Sequence, residues 1–177
     1  MPNAVYAGTF DICTNGHLWV VETAAKLFSR LFVAVAINPD KHGKHYFTDD
    51  ERVLSMHEAV AHIPNAFVVQ MEAKSLLVNF ARKTDAQFLV RGIRDHEDYR
   101  IERALRHMNA KLEPKINTVF LMPPKDLEEI SSSFVKGLIG IEGWENIVCS
   151  MVPANVHKMI CNRHHTLLKI AGQQCCQ

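Results

Sequence analysis

Short runs of apolar residues alternate with longer amphipathic stretches along the chain. Ala4–Ala7, Leu31–Ile37, Ala66–Val69, Phe88–Val90 and Thr118–Met122 read as strands. Leu31–Ile37 contains no polar position, the pattern of a strand covered on both faces. Helical periodicity fills the intervals. The spacing predicts helices from about Gly16 to Ser29, from the Thr48/Glu51 capping box to about His62, and over Leu76–Lys83. A charged amphipathic helix follows from Asp95 to Leu112, with Pro114 beyond its end. Ser131–Ser133 caps a helix from about Phe134 to Ile139, and Pro153 opens another that runs through about Cys161. Asn38–Phe47, with Pro39 and Gly43, reads as a loop. Arg91-Gly92 breaks the fourth strand, and Pro123-Pro124 stops the fifth.

Five strands alternating with helices predict an α/β fold built on a mostly parallel sheet with helices on both faces. Residues 1–162 read as a single domain and 163–177 as a frayed tail. In such sheets ligands bind beyond the carboxyl ends of the strands. Gly8, Asn38, Arg91 and Pro123 all fall at those ends, so four segments are expected to meet at one crevice.

Composition adds limits. The 177 residues are enough for a proper core, and 47% hydrophobic with 22% charged residues is ordinary for a soluble globular protein. A net charge of +1 offers no basis for binding nucleic acid or a membrane surface, so an anionic ligand needs a local basic cluster. No secretory signal and no apolar stretch long enough to span a membrane is visible. Five scattered cysteines without CxxC pairs fit a reduced, cytoplasmic setting rather than a disulfide framework or zinc site.

The densest chemistry lies in Gly8-Thr9-Phe10-Asp11-Ile12-Cys13-Thr14-Asn15-Gly16-His17, between the first strand and the first helix. A small-residue turn into a helix start gathers backbone N–H groups, a geometry that attracts phosphate, and His17 adds a donor there. The turn is neither GxGxxG nor a P-loop. Val90-Arg91-Gly92-Ile93-Arg94 places two phosphate-binding arginines around a glycine that lets a ligand approach. Ser131-Ser132-Ser133 offers hydroxyls and N–H groups, although alone it reads as a plain helix cap. Lys41, or alternatively Lys44, extends from the loop after the second strand. Asp11 is placed either to accept from an amine, to orient a magnesium-bound water, or simply to cap a turn. Cys13 reads as a small filler, and no histidine pair has convincing metal-ligand support.

Several runs together resemble the bacterial phosphopantetheine adenylyltransferases of the nucleotidyltransferase superfamily. They are Tyr6–Asp11 with Thr14–His17, Phe47-Thr48 with Glu51–Val53, Asn79–Arg82, Val90–Arg94, His107–Asn109, Phe120–Pro123, Ile130–Ser133 with Val135-Lys136, and Val152-Pro153 with Asn155-Val156. The first alone indicates only the superfamily, whose Thr/His-x-Gly-His sequence handles a triphosphate. The Arg-Gly-x-Arg, His-Met-Asn and Phe-Leu-Met-Pro runs narrow it.

The resemblance implies a Rossmann-like fold, a homohexamer, magnesium, and transfer of AMP from ATP to 4′-phosphopantetheine with release of pyrophosphate. It implies Thr9, Phe10, His17, Gly92, Ile93, Arg94, Glu102 and the stretch Leu127, Glu128, Glu129, Ile130, Ser131, Ser132 and Ser133 as ATP contacts. It implies Thr9, Lys41, Leu77 and Arg91 as acceptor contacts, with His17 and Lys41 carrying the catalysis. Ala7, Leu127 and Gly137 depart from the family pattern, and the loop after Lys41 is about two residues longer. The reaction needs in-line positioning and charge neutralisation rather than a strong base, because the acceptor phosphate is already a nucleophile. Two competing functions remain: a related nucleotidyltransferase acting on nicotinamide mononucleotide or a polyol phosphate, and a non-catalytic nucleotide-binding module.

Overall fold

A computed structural model describes the backbone of residues 1–37 and 45–174, with side chains to residue 170. The five expected strands form one parallel sheet: β1 (Asn3–Gly8), β2 (Arg30–Ala36), β3 (Ala66–Met71), β4 (Phe88–Gly92) and β5 (Asn117–Leu121), in the order β3-β2-β1-β4-β5. The helices are α1 (Asn15–Leu27), α2 (Asp49–Ala59), α3 (Leu77–Lys83), α4 (His96–Leu112), α5 (Lys125–Glu128), α6 (Ser132–Leu138), α7 (Trp144–Val148) and α8 (Ala154–Gln174).

Alternate residues of β1 feed two cores. Ala4 and Tyr6 join a cluster with Val20 and Val21 of α1, Met56 of α2 and Val156 and Ile160 of α8. Val5 and Ala7 face the opposite way, toward Val78, Phe80 and Ala81 of α3. Each fully buried aliphatic side chain contributes about 1.5–3 kcal/mol, and both clusters draw on β1 and β2. This double burial is why the central strands read as unbroken apolar runs. The strand order reverses between β1 and β4, so the crevice opens between Gly8 and Gly92, the last residues of these two strands.

Several boundaries depart from the sequence expectation. Arg91 and Gly92 do not break β4; they pair with Phe120 and Leu121 of β5. Neither α5 nor α7 is expected from the sequence, being only 4 and 5 residues long. The last helix does not end near Cys161, and the expected frayed tail from 163 is helical to Gln174. Tertiary contacts explain its first turn beyond Cys161: Arg163 donates to Glu51 at 2.7 Å and lies over the rings of Tyr46 and Phe47. Among the described residues, no helix is long and apolar enough to cross a membrane.

Candidate active site

The spacing of Thr14 and His17 sets the orientation of the imidazole. Thr14 has extended backbone and caps α1, and His17 is the third residue of that helix. The Thr14 N–H donates to His17 Nδ1 at 3.0 Å, and the Thr14 hydroxyl lies 2.9 Å from the same nitrogen. This is a capping box in which histidine replaces the usual glutamate. Because Nδ1 accepts, the ring proton sits on Nε2. Burial and, secondarily, the Arg94 charge lower the His17 pKa to about 4, so the ring is neutral near pH 7. His17 therefore offers a fixed, uncharged N–H donor to the crevice it lines.

The Phe10 side chain is only 1% exposed, and its ring packs edge-on to Tyr6 at 5.4 Å and His17 at 5.3 Å. A Cβ on Gly8 would lie 2.9 Å from that ring, so only glycine fits above it. Phe10 has φ +49°, a left-handed conformation that costs a non-glycine residue energy. With its ring in the core, Phe10 has only its backbone to offer a ligand. Thr9 is exposed on the crevice wall.

Both arginines of the Arg-Gly-x-Arg run are held by α4. Arg91 donates through Nε at 2.7 Å and through Nη2 to the Glu102 carboxylate, and through Nη1 to the Ala7 carbonyl at 2.8 Å. Three of its five N–H donors are engaged and two remain for a ligand. Arg94 pairs with Asp98 through Nε at 2.8 Å and Nη2 at 3.2 Å. These pairs hold both planar forks in place and offset part of their charge. Gly92 packs closely on α1: a Cβ there would lie 3.2 Å from Val20 Cγ2, so Val20 would have to give by a few tenths of an ångström.

The serine segment is docked onto the first turn. Ser132 donates its hydroxyl to the Ile12 carbonyl at 2.7 Å, and Ser131 caps α6 by accepting from Phe134 N at 3.0 Å. Two serine hydroxyls thus have structural partners, and the segment's offer to a ligand rests on its first-turn N–H groups. Lys136 of α6 reaches Asp11 at 3.1 Å. Asp11, 3% exposed, also accepts from Phe47 N at 2.9 Å and Tyr46 N at 3.1 Å, and lies 3.3 Å from His45 Nδ1. Burial opposes its charge, but the Phe47 and Tyr46 N–H groups and Lys136 outweigh that and hold the carboxyl below its usual range. Asp11 thereby joins the first turn, the entry to α2 and α6.

These segments enclose a cavity of about 570 Å³. Of the residues named from the sequence, Thr9, His17, Leu77, Arg91, Gly92, Arg94, Glu102, Ile130, Ser131, Ser132 and Ser133 line it. Phe10 and Ile93 are buried beside it rather than in its wall; the Ile93 N–H is already given to the Leu121 carbonyl at 2.9 Å. Leu127, Glu128 and Glu129 are not in the wall, although a Cβ on Gly16 would lie 3.7 Å from the Leu127 carbonyl. Lys41 and Lys44 fall outside the described residues. Sequence reasoning missed Met71 and Asp98 in the wall, and the Thr14 backbone as the group that orients His17. The Thr14–His17 interval of three, the spacing of a capping box, was the available signal.

Residues 5–137 match the cytidylyltransferase-like family. The phosphopantetheine adenylyltransferase of Chromobacterium violaceum is 46% identical over 158 residues, covering 89% of this chain and 94% of that protein. The enzyme of the same name from Neisseria meningitidis serogroup B is 45% identical over 161 residues, covering 91% and 93%. Among solved structures, Plasmodium falciparum nicotinic acid mononucleotide adenylyltransferase with NaAD superposes with a TM-score of 0.66 over 92% of this chain and 96% of that one. Its sequence identity is 14%, so the likeness is one of fold.

Proposed function

Because this chain belongs to the phosphopantetheine adenylyltransferases, within the cytidylyltransferase-like family, we propose that it transfers the adenylyl group of ATP to 4′-phosphopantetheine, giving dephospho-coenzyme A and pyrophosphate. An oxygen of the acceptor phosphate forms a bond to the α-phosphorus. The bond from that phosphorus to the bridging β-oxygen breaks, and its electron pair leaves with pyrophosphate. The acceptor is already anionic, so no residue has to remove a proton. His17 donates from Nε2 to the α-phosphoryl oxygens as they gain charge, a preorganised donor of the oxyanion-hole kind. Arg91, deep beside Ala7, takes the acceptor phosphate, and Arg94 with the Ser131–Ser133 segment takes the β- and γ-phosphates. Lys41, outside the described residues, is assigned by family membership alone as a further cation for the reaction.

Magnesium enters as the counter-ion of ATP, where it would offset phosphate charge. The carboxylates in the wall do not fit a protein-held metal: Glu102 is engaged by Arg91 and Asp98 by Arg94. No group of three metal-ligating side chains occurs among the described residues, and no step is assigned to the ion. The proposal includes a cytoplasmic homohexamer; self-association, though not the number of copies or the location, is supported by α4, which has no buried residue and exposes Ile101, Leu105, Met108 and Leu112 along one stripe. Light scattering after gel filtration tests the assembly.

The observation that carries the proposal is the meeting, at the β1/β4 reversal, of an oriented neutral His17 with two separately held arginines. Pyrophosphate release is measured with ATP against 4′-phosphopantetheine, nicotinamide mononucleotide and a polyol phosphate. Turnover with phosphopantetheine alone is expected. Turnover with nicotinamide mononucleotide instead refutes the acceptor, and release with none of them refutes the enzyme.

A further inference from the structure

Arg52 of α2 is the largest fully buried side chain among the described residues, at 0% exposure, and nothing in the chemistry above uses it. Its Nη1 donates to the Thr9 carbonyl at 2.6 Å and the Ala36 carbonyl at 3.0 Å. Nη2 donates to Asp49, and Nε has no partner among the described residues. Thr9 directly follows β1 and Ala36 ends β2, so one guanidinium ties the carboxyl ends of two strands beneath the first turn. A buried charge with an unsatisfied N–H is a poor way to gain stability; an apolar side chain of that size does better. Its placement therefore points to a role in the site.

We propose that Arg52 is a positioning residue for nucleotide phosphate, acting through the Thr9–Phe10 peptide. That peptide is trans, so its C=O and N–H point in opposite directions. Arg52 holds the Thr9 carbonyl, which turns the Phe10 N–H to the side opposite the guanidinium. No hydrogen bond within the protein engages that N–H among the described residues. The Phe10 ring is locked under Gly8 between Tyr6 and His17, so the peptide cannot turn over without displacing buried aromatics. The positive φ of Phe10 is strain that the Arg52 bond holds in place. The guanidinium thereby presents a fixed donor and places a cation behind it. This inference rests on the adenylyltransferase reading for its ligand, a nucleoside triphosphate.

The test uses Arg52→Met and Arg52→Lys in the full chain, with folding followed by thermal melting. Titration calorimetry gives the affinities for α,β-methylene-ATP and for phosphopantetheine, and pyrophosphate release gives kcat. Arg52→Met is expected to weaken the nucleotide analogue at least tenfold and lower kcat at least tenfold, with acceptor affinity changed less than threefold. Arg52→Lys, which keeps the charge but not the fork, is expected to fall between. Equal losses for both ligands, or no loss, would mean that Arg52 only supports the fold. If Arg52→Met does not fold, the same split in Arg52→Lys decides. Absence of pyrophosphate release by the wild type refutes the enzymatic reading instead, and the affinity split still reports on Arg52.

Discussion

Replacing His17 by alanine removes one donor and leaves the rest of the crevice standing. The ring accepts from Thr14 N at 3.0 Å and packs 5.3 Å from the Phe10 ring, so its Nε2 proton has a single direction. Loss of one preorganised transition-state donor costs about 2.7–4 kcal/mol, or roughly 10²–10³ in kcat. ATP affinity is expected to fall less, because Arg94 and the Ser131–Ser133 segment remain in the wall. The neutral state adds a second expectation. With its pKa lowered to about 4, His17 does not titrate between pH 5.5 and 8, so it contributes no inflection to kcat there. Initial rates of pyrophosphate release at saturating substrates, for wild type and His17→Ala from pH 5 to 9, test both points. The mechanism is refuted if kcat is retained while only the KM for ATP rises. It is equally refuted by a wild-type inflection near the ordinary histidine pKa that vanishes in the variant, since that would make His17 an acid or base.

Arg91→Ala should weaken phosphopantetheine more than ATP and Arg94→Ala the reverse, each by about tenfold to over a hundredfold, as calorimetry would show; equal losses in both would mean one shared phosphate site. Thr14→Ala should lower stability by about 1 kcal/mol but leave kcat well above that of His17→Ala, because the backbone N–H that orients the ring remains. Thermal melts across pH carry a further signature. The unfolded chain binds a proton at His17 below about 6.5 and the folded chain only near 4, so this group's stabilisation is present above pH 6.5 and is lost as pH falls toward 4. That loss has a ceiling of about 3 kcal/mol, and His17→Ala should flatten the profile in this window. Asp11→Asn, which leaves Lys136 and two backbone donors facing a neutral amide, should destabilise by about 2–3 kcal/mol in denaturant titration.

The five strands, the parallel α/β architecture and the crevice at their carboxyl ends were legible in the chain because double burial and helical periodicity are local patterns. The place of the first turn and of Arg91 and Arg94 in the crevice wall was legible for the same reason: small residues, a helix start and fixed spacing speak without knowledge of neighbours. Short α5 and α7 were not, since one turn of helix carries too little periodicity. The continuation of α8 past Cys161 was hidden because its anchor, Arg163 on Glu51, joins residues 112 apart. Tertiary structure alone decided which charges are spoken for. Glu102, a nucleotide contact by the family resemblance, is found gripping Arg91; Asp11, left open between an amine partner, a magnesium-bound water and a turn cap, takes the Lys136 amine and joins three segments. Arg52 stands in the Glu51–Val53 run with no role readable from the sequence and lies wholly buried under Thr9. Composition and spacing name the groups a fold can use. Which of them pair, and which remain to meet a ligand, depends on long-range geometry in a low-dielectric interior that no local pattern encodes.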